Sequence, residues 1–190
     1  MIIILEGLNG VGKTTVGMGL SEFSGIPFHR PFRLAGVKNG FYPDAKRMRE
    51  LGVPINCYHE EVYISDFLRS TKCPVILDRS LPSSIVYGLF DEDIPNSHED
   101  LEYIRGIWRH NMQLAGAKMI YFKCDDYEVA INRCGDRMPF SPFQYKKAVD
   151  LMDKEVSRSE LPTLVVNAED STVLEIQQEI IRNLNLKGGE

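Results

Sequence analysis

What the 190-residue chain lacks narrows it first. It has no C-x-x-C pair; its four cysteines, Cys57, Cys73, Cys124 and Cys134, stand apart. A zinc site or a disulfide framework is not expected, and reduced, mostly buried thiols are. No apolar run approaches the ~20 residues of a membrane span. Positive charge is not in excess: 22 Lys and Arg against 27 Asp and Glu give a net charge of −5. The surface as a whole therefore attracts neither nucleic acid nor an anionic membrane. The first apolar run starts at Ile2, which leaves no room for a signal or transit peptide, so a cytoplasmic location is expected. There is no internal repeat, no low-complexity tract and no N-K-x-D, the guanine-reading motif a GTP-dependent switch should carry. What remains is an ordinary composition, 43% hydrophobic and 26% charged, which predicts a single globular domain over residues 1–190 with a full core. The last residues, 187–190, read as a frayed tail.

What is present begins with Gly7-Leu8-Asn9-Gly10-Val11-Gly12-Lys13-Thr14, directly after the apolar run Ile2-Ile3-Ile4-Leu5. This is G-x-x-x-x-G-K-[ST] in its proper setting, between a buried strand and a helix. Gly7, Gly10 and Gly12 let the backbone N–H groups of Asn9, Gly10, Val11, Gly12, Lys13, Thr14 and Thr15 converge on an anion at a helix N-terminus. Lys13 adds a cation for the β- and γ-phosphates of ATP, and the Thr14 hydroxyl can ligate Mg²⁺. Buried strands are predicted at 2–6, 26–29, 73–78, 119–123 and 164–166. Helices are predicted at 13–23, 43–51, 57–70, 82–89, 101–114, 126–134, 142–156 and 171–184, with Asp126, Ser141 and Ser171 as caps. Strands alternating with helices mean a parallel α/β sheet with right-handed crossovers. Residues 30–42, 90–97 and 135–141 read as loops that handle ligands.

A second motif is Val75-Ile76-Leu77-Asp78-Arg79-Ser80. An aspartate ending a strand beside the phosphate loop can hold Mg²⁺ directly or through water, and the arginine after it can hold a phosphate. Arg133 and Arg137, four apart, can flank one anion if the helix persists. Glu6, beside the loop, is either structural or reaches Mg²⁺ through water. Arg30, Arg33, Lys38, Lys46, Arg47 and Arg49 make residues 30–49 locally basic: an acceptor-phosphate wall, a nucleic-acid patch or a solvated face. The overall acidity disfavours nucleic acid. His59-Glu60-Glu61 reads as a solvated helix face rather than a metal cluster, because adjacent helix positions diverge.

Asp78-Arg79-Ser80-Leu81-Pro82-Ser83-Ser84-Ile85-Val86-Tyr87-Gly88 resembles the thymidylate kinase signature D-R-Y-x-x-S-S-x-A-Y-Q, and Leu5–Thr15 resembles that family's E-G-x-D/E-G-x-G-K-T-T. Phe28-His29-Arg30-Pro31, Arg47–Leu51, Glu61–Phe67, Asp125–Arg137 and Val165–Ala168 are similar to further family elements in the same order. The resemblance implies a three-layer P-loop NTPase sandwich of about five parallel strands, helices on both faces and a short lid near 135–142. It implies ATP, Mg²⁺ and a nucleoside monophosphate acceptor, with a homodimer compatible. By the resemblance, Lys13, Arg79, Arg133 and Arg137 are catalytic, Arg133, Asn167 and Ala168 hold the adenine end of ATP, and Thr14 and Asp78 hold the metal. Asn9, Arg30, Arg49, Tyr63, Phe67, Arg79, Ser83, Ser84 and Tyr87 meet the acceptor, Tyr63 as a base-stacking platform.

The chain departs from the family where the base is read. Asn9 stands where a carboxylate usually meets the acceptor sugar, Phe67 where an arginine reads the base, and Gly88 where a glutamine does. Ser80 in place of Tyr also resembles the E-R-S element of deoxynucleoside kinases. The expected activity is therefore phosphoryl transfer to a pyrimidine deoxynucleotide, modified or not. Rivals are a nucleoside kinase, a kinase of a hydroxyl on a modified base, and a non-enzymatic nucleotide switch or module.

Overall fold

The computed structural model describes residues 1–30, 57–90 and 98–189, with the helical backbone alone for 57–60 and 98–100. The expected helix 43–51, Arg49, most of the basic segment 30–49 and the loop 91–97 lie outside the described residues. Five strands, β1 (Ile2–Glu6), β2 (Phe28–His29), β3 (Val75–Asp78), β4 (Lys118–Lys123) and β5 (Thr163–Asn167), form one sheet in the order β2-β3-β1-β4-β5. Every pairing is parallel. Every residue of β1 and β3 is buried, as the unbroken Ile/Val/Leu runs require of strands covered on both faces.

The helices are α1 (Lys13–Ser24), α2 (Cys57–Thr71), α3 (Leu81–Gly88), α4 (His98–Leu114), α5 (Tyr127–Cys134), α6 (Pro142–Arg158) and α7 (Val173–Leu184). The path from β1 out to β2 runs opposite to the path from β3 across to β4, so right-handed connections put α1 on one face and α2 to α4 on the other. α1 packs against α7, while α2 packs on α4 and α3 on α6. The direction of winding reverses beside β1, and the crevice at the carboxyl ends of β1 and β3 is where such a sheet takes a ligand. No helix among the described residues is long and apolar enough to cross a membrane.

Several boundaries shift by one to three residues from expectation, β2 for instance starting at Phe28 rather than Ile26, and two of the shifts have local reasons. β3 begins at Val75 rather than Cys73, because Pro74 has no N–H for a ladder and Lys72 turns the chain with φ 51°. α7 is capped by Thr172, not Ser171: the Thr172 side chain accepts from Glu175 N while the Glu175 carboxylate accepts from Thr172 N. Ser171 has Leu174 three residues on and no such reciprocal partner. Asp126 and Ser141 cap α5 and α6 as expected.

Candidate active site

The phosphate loop is fixed by close packing of its backbone. A Cβ on Gly7 would stand 2.6 Å from Phe122 O, and one on Gly10 would stand 2.2 Å from Ala130 O. Both residues also have positive φ, 139° and 84°, so glycine is required twice over. The loop thereby rests on the end of β4 and on α5. Lys13 is buried and donates from Nζ to Leu8 O at 2.6 Å. Burial, with the Arg79 charge second, pushes its ammonium well below the usual 10.5. Asp78 and Glu6 oppose that shift, and a phosphate in the loop would favour the charged form further.

Thr14 donates to Asp78 Oδ2 at 2.6 Å, a consequence of β1 and β3 pairing in register, Leu5 beside Asp78. Asp78 Oδ1 is buried with no hydrogen-bond partner among the described residues. A hydroxyl and a carboxylate are the hard oxygen donors Mg²⁺ takes, and the orphaned oxygen is what a metal or its water would satisfy, so these residues fit the ion. The Arg30 guanidinium lies 3.6 Å from Asp78 Oδ2 across the end of β2.

Arg79 occupies left-handed backbone, φ 79°, which turns its side chain back over the loop. It donates to Gly7 O at 3.0 Å, Ser83 Oγ at 3.1 Å and Asn9 Oδ1 at 2.5 Å, and lies 4.7 Å from the Tyr87 ring centre. Tyr87 OH donates to the same Asn9 oxygen at 3.0 Å. Beneath them Glu6 is fully buried, accepting from Ser80 N at 2.6 Å and from Ser83 Oγ. Desolvation raises its carboxyl pKa. Glu6 is thus a structural carboxylate that seats the turn carrying Arg79.

Several predicted residues are placed elsewhere. Asn9 accepts with its oxygen from Arg79 and Tyr87, and its amide donates to Arg137 O at 2.9 Å. Ser83 and Ser84 are buried and donate to carboxylates, Ser83 to Glu6 and Ser84 to Glu61 at 2.6 Å. Tyr63 and Phe67 are 82% and 57% exposed, a turn apart on the side of α2 away from buried Glu61, Ser65 and Leu68. The helical spacing that would let Arg133 and Arg137 flank one anion does not persist. α5 ends at Cys134 and a 3₁₀ turn, Gly135–Arg137, breaks the helical spacing. Arg133 donates to Ala168 O and, at 2.9 Å, to Glu169 O, while Arg137 Nε reaches Cys134 O at 3.3 Å. Asn167 caps its own turn, accepting from Glu169 N at 2.8 Å. Val11 and Ala168 are buried, and Thr15 is exposed.

Glu61 is the residue the sequence reading misplaces. It is fully buried, not solvated. It accepts from Ser84, and Ser80 Oγ, 3.5 Å from its other oxygen, also receives Trp108 Nε1 at 3.0 Å. One turn along α2, Ser65 receives Asn111 Nδ2 at 3.1 Å. Its signal is the spacing of Glu61, Ser65 and Leu68, which share one helical stripe.

No protein-family model matches the chain, and no curated protein matches its sequence. Solved structures do match. The YorR protein from Bacillus subtilis, in complex with phosphorylated GDP, has a TM-score of 0.67 at 21% identity, covering 98% of this chain and 96% of that one. Deoxyadenosine kinase from M. mycoides with bound dATP has 0.63 at 20% identity, covering 97% and 100%. Shikimate kinase from Aquifex aeolicus has 0.54 at 18% identity, covering 97% and 96%. The five-stranded parallel sheet, its winding and its glycine loop are those of the P-loop kinase fold.

Proposed function

We propose that this protein transfers the γ-phosphate of ATP, with Mg²⁺, to a nucleoside monophosphate, a pyrimidine deoxynucleotide in the first instance. The observation that carries the reading is the junction of β1 and β3. Thr14 and Asp78 meet at 2.6 Å with an orphaned carboxylate oxygen beside them, and Lys13 and Arg79 converge from either side. Phosphoryl transfer asks little covalent help of a protein. It asks for charge and position around the moving group. In this reading Lys13 binds the donor phosphates through charge, Thr14 and Asp78 hold the metal, and Mg²⁺ when bound neutralises charge on the β- and γ-oxygens. Arg79 gives up contacts to Gly7 and Ser83 for the acceptor phosphate. Arg30, at the end of β2, adds a second cation on the acceptor side. The pyrimidine class rests on the resemblance over residues 78–88.

A deoxynucleoside acceptor is the second reading, favoured by the likeness to deoxyadenosine kinase. A hydroxyl acceptor needs a carboxylate base, and the end of β2 presents Arg30 instead. The test supplies ATP and Mg²⁺ with matched pairs, thymidine against dTMP and deoxycytidine against dCMP, and measures ADP formed. Turnover of the monophosphates alone is expected. Equal or faster turnover of the nucleosides would replace this reading with the second, and turnover of neither would remove both.

A further inference from the structure

Asn9 is held at both ends, and its partners dictate which end is which. A guanidinium only donates and a peptide carbonyl only accepts. The side-chain oxygen therefore faces Arg79, and the amide nitrogen faces Arg137 O at 2.9 Å. We propose that Asn9 is a positioning residue that docks the segment 135–142 onto the phosphate loop, through a hydrogen bond that a carboxylate at this position cannot make. Aspartate would keep an acceptor for Arg79 and Tyr87, but its second oxygen would confront the Arg137 carbonyl, acceptor against acceptor. This accounts for an amide at a position where the resembling family carries a carboxylate.

A second contact joins the same two parts. The buried Phe140 ring lies 5.2 Å from the Tyr87 ring, and Tyr87 lies in turn against Arg79. Segment 135–142 thus meets the Arg79–Tyr87 pair twice, by the Asn9 amide at one end and by Phe140 near the other. Gly10, pressed on Ala130 O, fixes α5, from which the segment springs. The arginine expected to work on the acceptor and the segment expected to cover the donor phosphates are thereby set relative to each other.

The experiment is limited trypsin digestion of nucleotide-free protein, following cleavage at the exposed bond after Arg137 by mass spectrometry. Cleavage tracks the population of the undocked segment. Asn9→Asp should cleave there about two- to tenfold faster than wild type, the effect of losing the one hydrogen bond to Arg137 O. In Asn9→Asp, which keeps the acceptor for Arg79 and Tyr87, melting temperature and cleavage at other sites should not change, which separates local positioning from general loosening. Cleavage of Asn9→Asp at the wild-type rate would overturn the proposal. A kinetic arm rests on the phosphotransferase reading: Asn9→Asp should raise the KM for ATP by a larger factor than it lowers kcat. Absence of turnover in the wild type would count against that reading and leave the proteolysis result standing.

Discussion

The sequence points to two surfaces as substrate-handling, the carboxyl ends of β1 and β3 and the helix α2, and the structure builds them in opposite ways. Around the strand ends most side chains are interlocked, with Asp78 Oδ1 left over among the described residues: Glu6 holds Ser80 and Ser83, Arg79 holds Gly7, Asn9 and Ser83, and Thr14 holds Asp78. On α2 Tyr63 and Phe67 are exposed, while the side facing inward carries a carboxylate and a serine. Chemistry with phosphate is assembled from backbone conformation, which glycine and strand pairing impose. Contact with a base or sugar depends on which way a helix is rotated, and one residue turns a helix by about 100°.

Breaking the first region should have the largest effects. Lys13→Ala should lower kcat by about 10²- to 10³-fold, since the phosphate charge loses its preorganised partner. Because burial disfavours the Lys13 ammonium, the melting temperature of the variant should hold or rise. Steady-state kinetics with a thermal melt checks both. Arg79→Ala should cost on the order of 10²-fold in kcat/KM for the acceptor, as charge-assisted contacts to phosphate are worth a few kcal/mol; the measurement is an acceptor titration at saturating ATP.

Glu61→Ala should destabilise the fold by roughly 2–4 kcal/mol, from the cavity and from the Ser84 hydroxyl left unpaired. Denaturant unfolding reads this, and Glu61→Gln should recover part of it. A gentler effect is expected at Glu6. Burial raises its carboxyl above 4.5, so in the window just above 4.5 the folded protein holds more protons than the unfolded chain. Stability should therefore fall as pH rises through that window, and Glu6→Gln should flatten that part of a melting-temperature profile against pH. The smallest effect belongs to the outer face of α2. Tyr63→Ser with Phe67→Ser should change acceptor kcat/KM by less than about threefold, as scattered exposed apolar side chains carry no obligatory contact. A loss above tenfold would restore α2 as a base-binding surface and dissolve the contrast.

The parts legible in the sequence are those that periodicity and glycine spacing encode. The strands β1, β3, β4 and β5 are readable from apolar runs, whereas the two residues of β2 carry no Ile or Val, and the phosphate loop is readable from its glycine-lysine motif. Asp78 and Arg79 followed from a strand ending beside that loop. The roles of Asn9, Ser83 and Ser84 were not legible, because a side chain's partner depends on groups distant in sequence: Asn9 meets Arg79, Tyr87 and Arg137. Arg133 and Arg137 misled because four residues mean one face only while a helix continues, and Gly135 stops it. Glu61 misled because a run of polar residues looks solvated unless the stripe of Glu61, Ser65 and Leu68 is counted.

Arg79 sits in a conformation that glycine adopts without cost and other residues adopt reluctantly. The backbone and the chemistry therefore ask for different amino acids at one codon. A library randomised at residue 79 and sorted for survival of heat alone would set glycine's backbone freedom against the contacts to Gly7, Asn9 and Ser83, and the same library sorted for turnover would return arginine. The gap between the two winners measures how much rigidity this protein forgoes to keep a guanidinium over its phosphate loop.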